Sequence, residues 1–244
     1  MLLNLIMLIL KHLLKKLCPQ SCVVCQQPAH QALCCTCRDS LPWLNCACPR
    51  CGKPMVNKTA LTCGACLKNP PPFSRAFHLF SYEPPISDWI TRYKYHRQLY
   101  FAALCAQLLA NKLQEAYKTT QKPDVIIPVP LHAQRMRTRG FNQSLLLARL
   151  TAGYLNMPLF TLTRHKHTVM QKGLLARARE RNVKDAFAIE KTMQHSSCII
   201  IDDVMTTGTT LREVTKTLQK AGMQDIHVAC IAKTTRVGVQ NTKV

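Results

Sequence analysis

The sequence predicts an α/β domain with a mainly parallel sheet and flanking helices, preceded by a small, irregular cysteine-rich module. Three short apolar runs predict buried strands, and two segments between them predict helices. In chain order these five elements are residues 124–131, 142–155, 197–203, 209–222 and 225–232. Short apolar strands that alternate with helices are typical of a parallel sheet that is covered on both faces.

The chain is predicted to have three regions, of which the first is an apolar helix over residues 1–17. Its apolar side chains recur at helical spacing, at Leu2, Leu3, Ile6, Ile9, Leu10, Leu13, Leu14 and Leu17. Such a helix is expected to pack against the core or a partner, and peripheral membrane contact is the alternative. The run is too short for a membrane span, and its lysines follow the apolar residues instead of preceding them as in an export signal. We therefore expect a cytoplasmic protein.

The second predicted region, residues 18–72, is rich in cysteine and contains four cysteine pairs with a two-residue gap. The pairs are Cys22/Cys25, Cys34/Cys37, Cys48/Cys51 and Cys63/Cys66. Clustered cysteines in a reducing compartment bind metal more often than they form disulfides. Eight thiolates satisfy two tetrahedral zinc ions and leave no open position, so we expect structural zinc. A slipped assignment that uses Cys35 or Cys46, and a ligand role for His30, are alternatives.

The third predicted region is the α/β domain over residues 73–244. The segment "NPPPF", residues 69–73, precedes it and predicts a stiff, extended linker, because consecutive prolines favour an extended chain.

The charge of the chain favours an anionic partner. There are 33 Lys and Arg residues against 12 Asp and Glu residues, a formal net charge of +21. The excess is largest between residues 135 and 184, where eleven basic residues accompany a single acid, Glu180. Nucleic acid, phosphorylated metabolites and acidic lipid are the partner classes that such a surface attracts, and a solvated basic surface without a partner is the alternative.

The stretch "CIIIDDVMTTGTT", residues 198–210, combines a buried strand, two adjacent acids and a hydroxyl-rich turn that opens a helix. The first amides of a helix are unpaired and attract a phosphate, and Gly208 allows the backbone to approach it closely. The two carboxylates lie at the carboxyl edge of the sheet, where ligands bind, and they suit the vicinal hydroxyls of a ribose, directly or through Mg²⁺. A helix-capping turn with incidental aspartates is the alternative.

This stretch closely resembles the phosphoribosyl pyrophosphate (PRPP) motif of type I phosphoribosyltransferases. Three further segments, "RYKYHRQL" at 92–99, "IPVPLHAQRMRTRGFNQ" at 127–143 and "QKGLLARARERNVKDAF" at 171–187, together with the four cysteine pairs, resemble the ComF family of competence proteins. That family combines a small zinc module with a phosphoribosyltransferase-like domain, and the resemblance extends over nearly the whole chain.

The resemblance implies roles for particular residues. Ribose binding falls to Asp202 and Asp203, and the phosphate cradle to Thr206, Thr207, Gly208, Thr209 and Thr210. Binding of pyrophosphate or of DNA phosphates falls to Lys94, Arg135, Arg137, Arg139, Arg177, Arg179 and Arg181. The last three lie in residues 163–184, where the family has a mobile hood over the site.

The resemblance also implies a function in natural transformation, in which the protein handles incoming single-stranded DNA in the cytoplasm. Phe141, Tyr93 and Tyr95 are candidate stacking faces for bases, with core packing as the alternative. A Mg²⁺-dependent phosphoribosyltransferase that acts on a nucleobase or another nitrogen nucleophile is the second interpretation. A scaffold that docks a helicase through the zinc module is the third.

Overall fold

The computed structural model describes residues 21–56, 62–96, 98–165, 185–189 and 193–235. The chain divides into two compact units, Met1–Leu41 and Pro42–Val244. The predicted N-terminal helix over 1–17 lies outside the described residues, as do Arg177, Arg179 and Arg181. Within the described ranges, no helix is both long enough and apolar enough to cross a membrane.

The sheet of the second unit has four strands, all parallel, in the order β1-β6-β5-β2. These strands are β1 (Arg75–Ser81), β2 (Val125–Pro128), β5 (Ser197–Met205) and β6 (Asp225–Lys233). A separate antiparallel pair consists of β3 (Thr163–Arg164) and β4 (Phe187–Ala188). Successive residues of β5, Ile199, Ile200 and Ile201, point to opposite faces and are all fully buried, so both faces of the sheet are covered. The predicted α/β class is confirmed.

Seven helices accompany these strands in the described ranges. They are α1 (Cys35–Asp39), α2 (Gly64–Lys68), α3 (Ile86–His96), α4 (Leu99–Ala116), α5 (Ala133–Arg139), α6 (Gln143–Leu155) and α7 (Thr209–Lys220). Helices α4 and α6 pack against each other and against the sheet. Helix α7 packs Leu211, Val214 and Leu218 into a core cluster that includes Ile200 and Val228.

Two predicted strands end at other residues. Strand β2, predicted to reach residue 131, ends at Pro128. Strand β5 continues two residues past the acids, because Val204 and Met205 still pair with β6. The acids therefore lie just inside the end of the strand. The segment after β2, for which no element was predicted, forms the short helix α5, which Gly140 ends in a left-handed conformation (φ 78°).

The outer edge of β1 is covered by the segment that enters the second cysteine group. The amide of Leu44 donates to Leu79 O (2.9 Å), that of Ser81 to Pro42 O (2.8 Å) and that of Ala76 to Pro49 O (2.7 Å). These bonds satisfy backbone groups that an edge strand otherwise exposes. The cysteine-bearing segment is thereby built onto the sheet.

The proline-rich segment at 69–73 is packed and does not form a free spacer. Phe73 is fully buried in the core cluster beside α7. The carbonyl of Pro72 accepts a hydrogen bond from Gln219 Nε2 (3.1 Å), and the amide of Ser74 donates to Ile226 O (2.8 Å).

Candidate functional site

Two groups of four cysteines form candidate metal centres. The predicted eight residues make up both groups, one with Cys22, Cys25, Cys34 and Cys37, the other with Cys48, Cys51, Cys63 and Cys66. Within each group the sulfurs all lie within 4.8 Å of one another. Among the described residues no histidine joins either group, so the alternatives that used Cys35, Cys46 or His30 are not needed.

The donor geometry of both groups fits zinc. The Sγ atoms of Cys25 and Cys34 are 3.9 Å apart, and those of Cys51 and Cys63 are 3.7 Å apart. Four sulfurs at the corners of a tetrahedron, each 2.3 Å from a central zinc, are separated by about 3.8 Å. Cys34 N donates to Cys22 Sγ in the first group, and Cys63 N donates to Cys48 Sγ in the second, both at 3.4 Å. With no place for a water or substrate, these centres are structural.

The acid pair lies near the carboxyl end of β5, as predicted, and each acid has a different partner. Asp203 is buried and forms an ion pair with Lys94 of α3, with Nζ 3.0 Å from Oδ2. Asp202 Oδ1 accepts hydrogen bonds from Ser144 Oγ (2.8 Å) and from the amide of Asp203 (2.9 Å). The site therefore joins β5 to α3 and to the beginning of α6.

Burial and the adjacent Asp203 raise the pKa of Asp202 to about 7, although the hydrogen bond from Ser144 opposes the shift. The carboxylate is thus costly to ionise in the absence of a cation. Oxygen donors of this kind are the ligands that Mg²⁺ prefers. The pair fits a cation-bound ribose ligand, and the ammonium of Lys94 already supplies one positive charge.

The phosphate cradle follows directly. Gly208 has a left-handed conformation (φ 79°) and is the N-cap of α7, where no side chain caps the first amides. Thr206 and Thr207 are exposed, and the hydroxyls of Thr207 and Thr209 are 2.8 Å apart. Free helix amides surrounded by hydroxyl donors form an anion site. Phosphate binding by residues 206–210 stays a prediction, which this helix start suits.

The motif "RGFNQ" positions a third part of the site. Asn142 caps α6 by accepting from the amides of Ser144 (3.0 Å) and Leu145 (3.3 Å), and its Nδ2 donates to Val129 O (3.2 Å). This cap fixes the start of α6 beside the end of β2. Ser144 is thereby held against Asp202.

Gln143, the first residue of α6, is almost fully buried. Its Oε1 accepts from Arg139 (3.1 Å), while its Nε2 has no hydrogen-bond partner among the described residues. A buried amide without a partner is costly, so this donor is available to a ligand.

Three arginines converge on the same edge of the sheet. Arg135 and Arg139 are four residues apart on α5 and share a face, and burial followed by the nearby charge of Arg139 lowers the pKa of Arg135. Burial and Arg135 together lower the pKa of Arg164 to about 10, against the opposing effect of Asp202. Arg137 is exposed on another face of α5.

The candidate stacking residues have different environments. Tyr93 is fully buried, donates from its hydroxyl to Gln143 O (2.7 Å) and packs against Phe141 and Phe101. The prediction that Tyr93 is a stacking face was wrong, and the alternative, core packing, is confirmed. Tyr95 is 60% exposed, and the Arg139 guanidinium lies 5.3 Å above its ring. Tyr95 is therefore the candidate with a ring that a base can reach.

Ser144, Gln143 and Arg164 were not predicted as site residues. Gln143 is the last residue of the recognised segment at 127–143 and Ser144 follows it, and this position was the available signal. Arg164 lies in the expected hood segment, but only the pairing of β3 with β4 brings it near Arg135 and Asp202.

The fold and the site define a class of protein: a phosphoribosyltransferase-type domain with a double zinc ribbon. The phosphoribosyl transferase domain model matches residues 93–239, more than half of the chain, and the double zinc ribbon domain model matches residues 13–67.

Whole-length relatives identify the family more closely. The chain is 37% identical over 223 residues to the DNA utilization protein YhgH of Salmonella typhimurium, covering 88% of this chain and 98% of the relative. It is 34% identical over 225 residues to competence protein F of Haemophilus influenzae, covering 87% and 96%. The chain belongs to the ComF family of competence-related proteins.

Among solved structures, the purine phosphoribosyltransferase of Pyrococcus horikoshii matches with a TM-score of 0.33 and 26% identity, over 57% of this chain and 78% of that one.

Proposed function

We propose that this protein is a cytoplasmic competence protein that handles incoming single-stranded DNA, and that its phosphoribosyltransferase-like site binds a 5′-phosphorylated ribose, either PRPP or a DNA end. The observation that carries the proposal is the convergence of Asp202, Asp203 and the cradle at 206–210 with Arg135, Arg139 and Arg164 at one edge of the sheet. The acids suit a ribose and its cation, the cradle suits one phosphate, and the arginines suit further phosphates.

The pair formed by Tyr95 and Arg139 favours a strand over a single metabolite. Proteins that bind single-stranded DNA combine a basic groove for the backbone with aromatic rings for the bases. Here an exposed ring lies under an arginine that also bonds Gln143, beside the acid pair. The net charge of +21 exceeds what one PRPP molecule needs, and it supports long-range attraction of a polyanion.

The relatives support the same setting. Their names, competence protein F and DNA utilization protein YhgH, connect those proteins with competence and with the use of DNA. We extend this setting to the present chain as part of the proposal.

A Mg²⁺-dependent phosphoribosyltransferase is the second candidate, favoured by the intact acid pair and by the raised pKa of Asp202. When bound, Mg²⁺ supplies positive charge to the leaving pyrophosphate. Asp202 and Asp203 would hold the ribose hydroxyls or the ion, the amides at Gly208–Thr210 the 5′-phosphate, and Arg135 and Arg139 the departing charge.

Fluorescence anisotropy tests the proposal with zinc-loaded protein and a labelled single strand, with and without a 5′-phosphate, between 50 and 150 mM salt. We expect binding that weakens steeply with salt. Arg139→Ala is expected to weaken affinity about tenfold and to reduce the salt slope by about one. Arg149→Ala is the matched control, because Arg149 is exposed on α6 and its substitution removes the same charge. Absence of binding by folded wild-type protein across this range rejects DNA handling.

Isothermal titration with PRPP and Mg²⁺ separates the two candidates. PRPP binding that is lost in Asp202→Ala/Asp203→Ala supports the ribose-phosphate site. Release of pyrophosphate in the presence of a nucleobase supports the enzyme. DNA binding that is unchanged in that double variant would show that the basic groove binds DNA without the acid pair.

A further inference from the structure

The phosphate cradle is in contact, through two buried side chains, with the second cysteine group. The row of contacts runs from Gly52, next to Cys51, through His78 and Met205 to Gly208. It lies wholly within the unit Pro42–Val244. Each step is a direct packing contact between neighbouring groups.

The first step joins the cysteine group to β1. Gly52 follows Cys51 in a left-handed turn (φ 70°), and its amide donates to Cys48 O (2.8 Å). A Cβ built on Gly52 would lie 2.3 Å from His78 Nδ1, so the imidazole fills the place of the missing side chain. The turn that carries Cys51 rests on the ring of His78, and both would have to move together.

The second step joins β1 to the end of β5. His78 is 2% exposed, and its Nε2 lies 3.2 Å from Met205 Sδ. This N–H···S contact holds the thioether in one place between the sheet and the cradle. The carbonyl of His78 accepts from Lys112 Nζ (2.6 Å), which ties β1 to α4 at this residue.

The third step joins Met205 to the cradle. A Cβ on Gly208 would lie 2.6 Å from Met205 Cε, so the methyl group packs directly under the glycine that begins α7. The neighbouring Lys233 Nζ donates to the carbonyls of Thr206 and Thr234, which supports the loop from the side of β6. The position of Met205 therefore sets the position of the backbone amides that face a phosphate.

We propose that His78 and Met205 are positioning residues through which the zinc-loaded second cysteine group holds the phosphate cradle in its binding conformation. Zinc in this group would then act on ligand affinity as well as on folding. The inference rests on the proposed ribose-phosphate function, because PRPP affinity is its main readout. Coupling between two sites in a protein typically changes affinity by about 5–150-fold, which sets the size of the effect expected here.

Met205→Ala is the central variant, because it removes the link and leaves every cysteine, acid and cradle residue in place. We expect PRPP–Mg²⁺ affinity, measured by titration calorimetry on zinc-loaded protein, to fall about tenfold. Met205→Leu keeps the packed volume and is expected to restore most of the affinity. Met223→Ala is the matched control, since Met223 is 3% exposed and lies just past the opposite end of α7.

A double-mutant cycle tests the coupling itself. Cys51→Ser, which removes one zinc ligand, is expected to weaken PRPP binding about tenfold alone and no further in the Met205→Ala background. Cys46→Ser, a cysteine of the same segment outside both groups, controls for loss of a thiol. Independent effects that multiply, or a Met205→Ala protein that binds as tightly as Met223→Ala, overturn the inference.

Hydrogen exchange of the amides at 206–210 gives a readout that does not need a ligand. Faster exchange in Met205→Ala than in Met223→Ala supports the inference even where PRPP does not bind. Wild-type protein that fails to bind PRPP while its cradle still responds to Met205→Ala rejects PRPP as the ligand and leaves the positioning role in place. Unchanged exchange rejects the positioning role, and it does so even if Cys51→Ser does not fold.

Discussion

The second cysteine group and the ligand site lie in the same compact unit and are built on opposite principles. The cysteine group closes on itself, receives an N–H···S bond and covers a strand edge, so it stabilises the fold. The ligand site holds two adjacent acids and a buried Gln143 Nε2 that lacks a hydrogen-bond partner within the described ranges, and both features cost free energy when no ligand is bound. The second cysteine group stabilises the fold, and the fold in turn holds the residues of the ligand site in position.

The largest expected effect is on the stability of the cysteine group. Cys66→Ser removes a buried ligand of the second group and is expected to lower the free energy of unfolding by about 3 kcal/mol or more. Calorimetric unfolding together with zinc quantification measures this loss. An unfolding temperature equal to that of wild type would break the comparison, because the group would then not support the domain.

A substitution in the ligand site is expected to stabilise the protein at high pH, whereas Cys66→Ser destabilises it. Asp202 has a folded pKa of about 7, above its usual 3.8, so the stability that it contributes is complete below the usual value and is lost as pH rises through 7. Asp202→Asn is therefore expected to raise the free energy of unfolding at pH 8 by about 1 kcal/mol or more, while PRPP binding is lost. The gain should shrink towards pH 4.

Asp124→Asn is the matched control with the opposite sign. Hydrogen bonds from the side chain of Ser197 and from the amides of Ser196 and Ser197 outweigh burial and lower the pKa of Asp124. Its contribution is present above the usual pKa and is lost as pH falls through the folded one, so Asp124→Asn is expected to destabilise at pH 8. Equal signs for the two variants in denaturant unfolding would contradict our account of Asp202.

A change at Gly208 is expected to affect both properties at once. Gly208→Ala introduces a Cβ at a positive φ and against Met205 Cε, at a cost of about 1–3 kcal/mol. Ribose-phosphate affinity should fall, because the amides of the cradle shift. Gly153→Ala, in the interior of α6 with open space around its Cβ, is the control and should be neutral or stabilising. An affinity equal to that of wild type would show that the cradle tolerates displacement.

The smallest expected effect is at the helix cap. Asn142→Ala removes two hydrogen bonds to the start of α6 and is expected to cost about 1 kcal/mol. Because the cap holds Ser144 against Asp202, affinity for PRPP should fall by more than the stability change alone explains. Asn142→Asp keeps the capping oxygen but loses the donor to Val129 O, so it should retain only part of the stability.

The cysteine spacing was sufficient to predict the two cysteine groups, and the stretch from Cys198 to Thr210 was sufficient to predict a strand that enters a helix through a glycine turn. Both are local patterns: a two-residue gap places two thiols in one turn, and a strand that enters a helix through Gly208 exposes its first amides. The buried strands were equally predictable, because continuous apolar runs occur where both faces of a sheet are covered.

The tertiary structure alone decided which distant residues meet. Ser144 reaches Asp202 across 58 positions, Lys94 reaches Asp203 across more than 100, and Tyr93 is buried while Tyr95, two residues on, is exposed. The contact of Gly52 with His78 and that of Met205 with Gly208 likewise depend on strand order and not on any local signal. Sequence period and spacing determine how a segment folds, whereas the pairing of β5 with its neighbours and the packing of helices on them determine what each side chain touches.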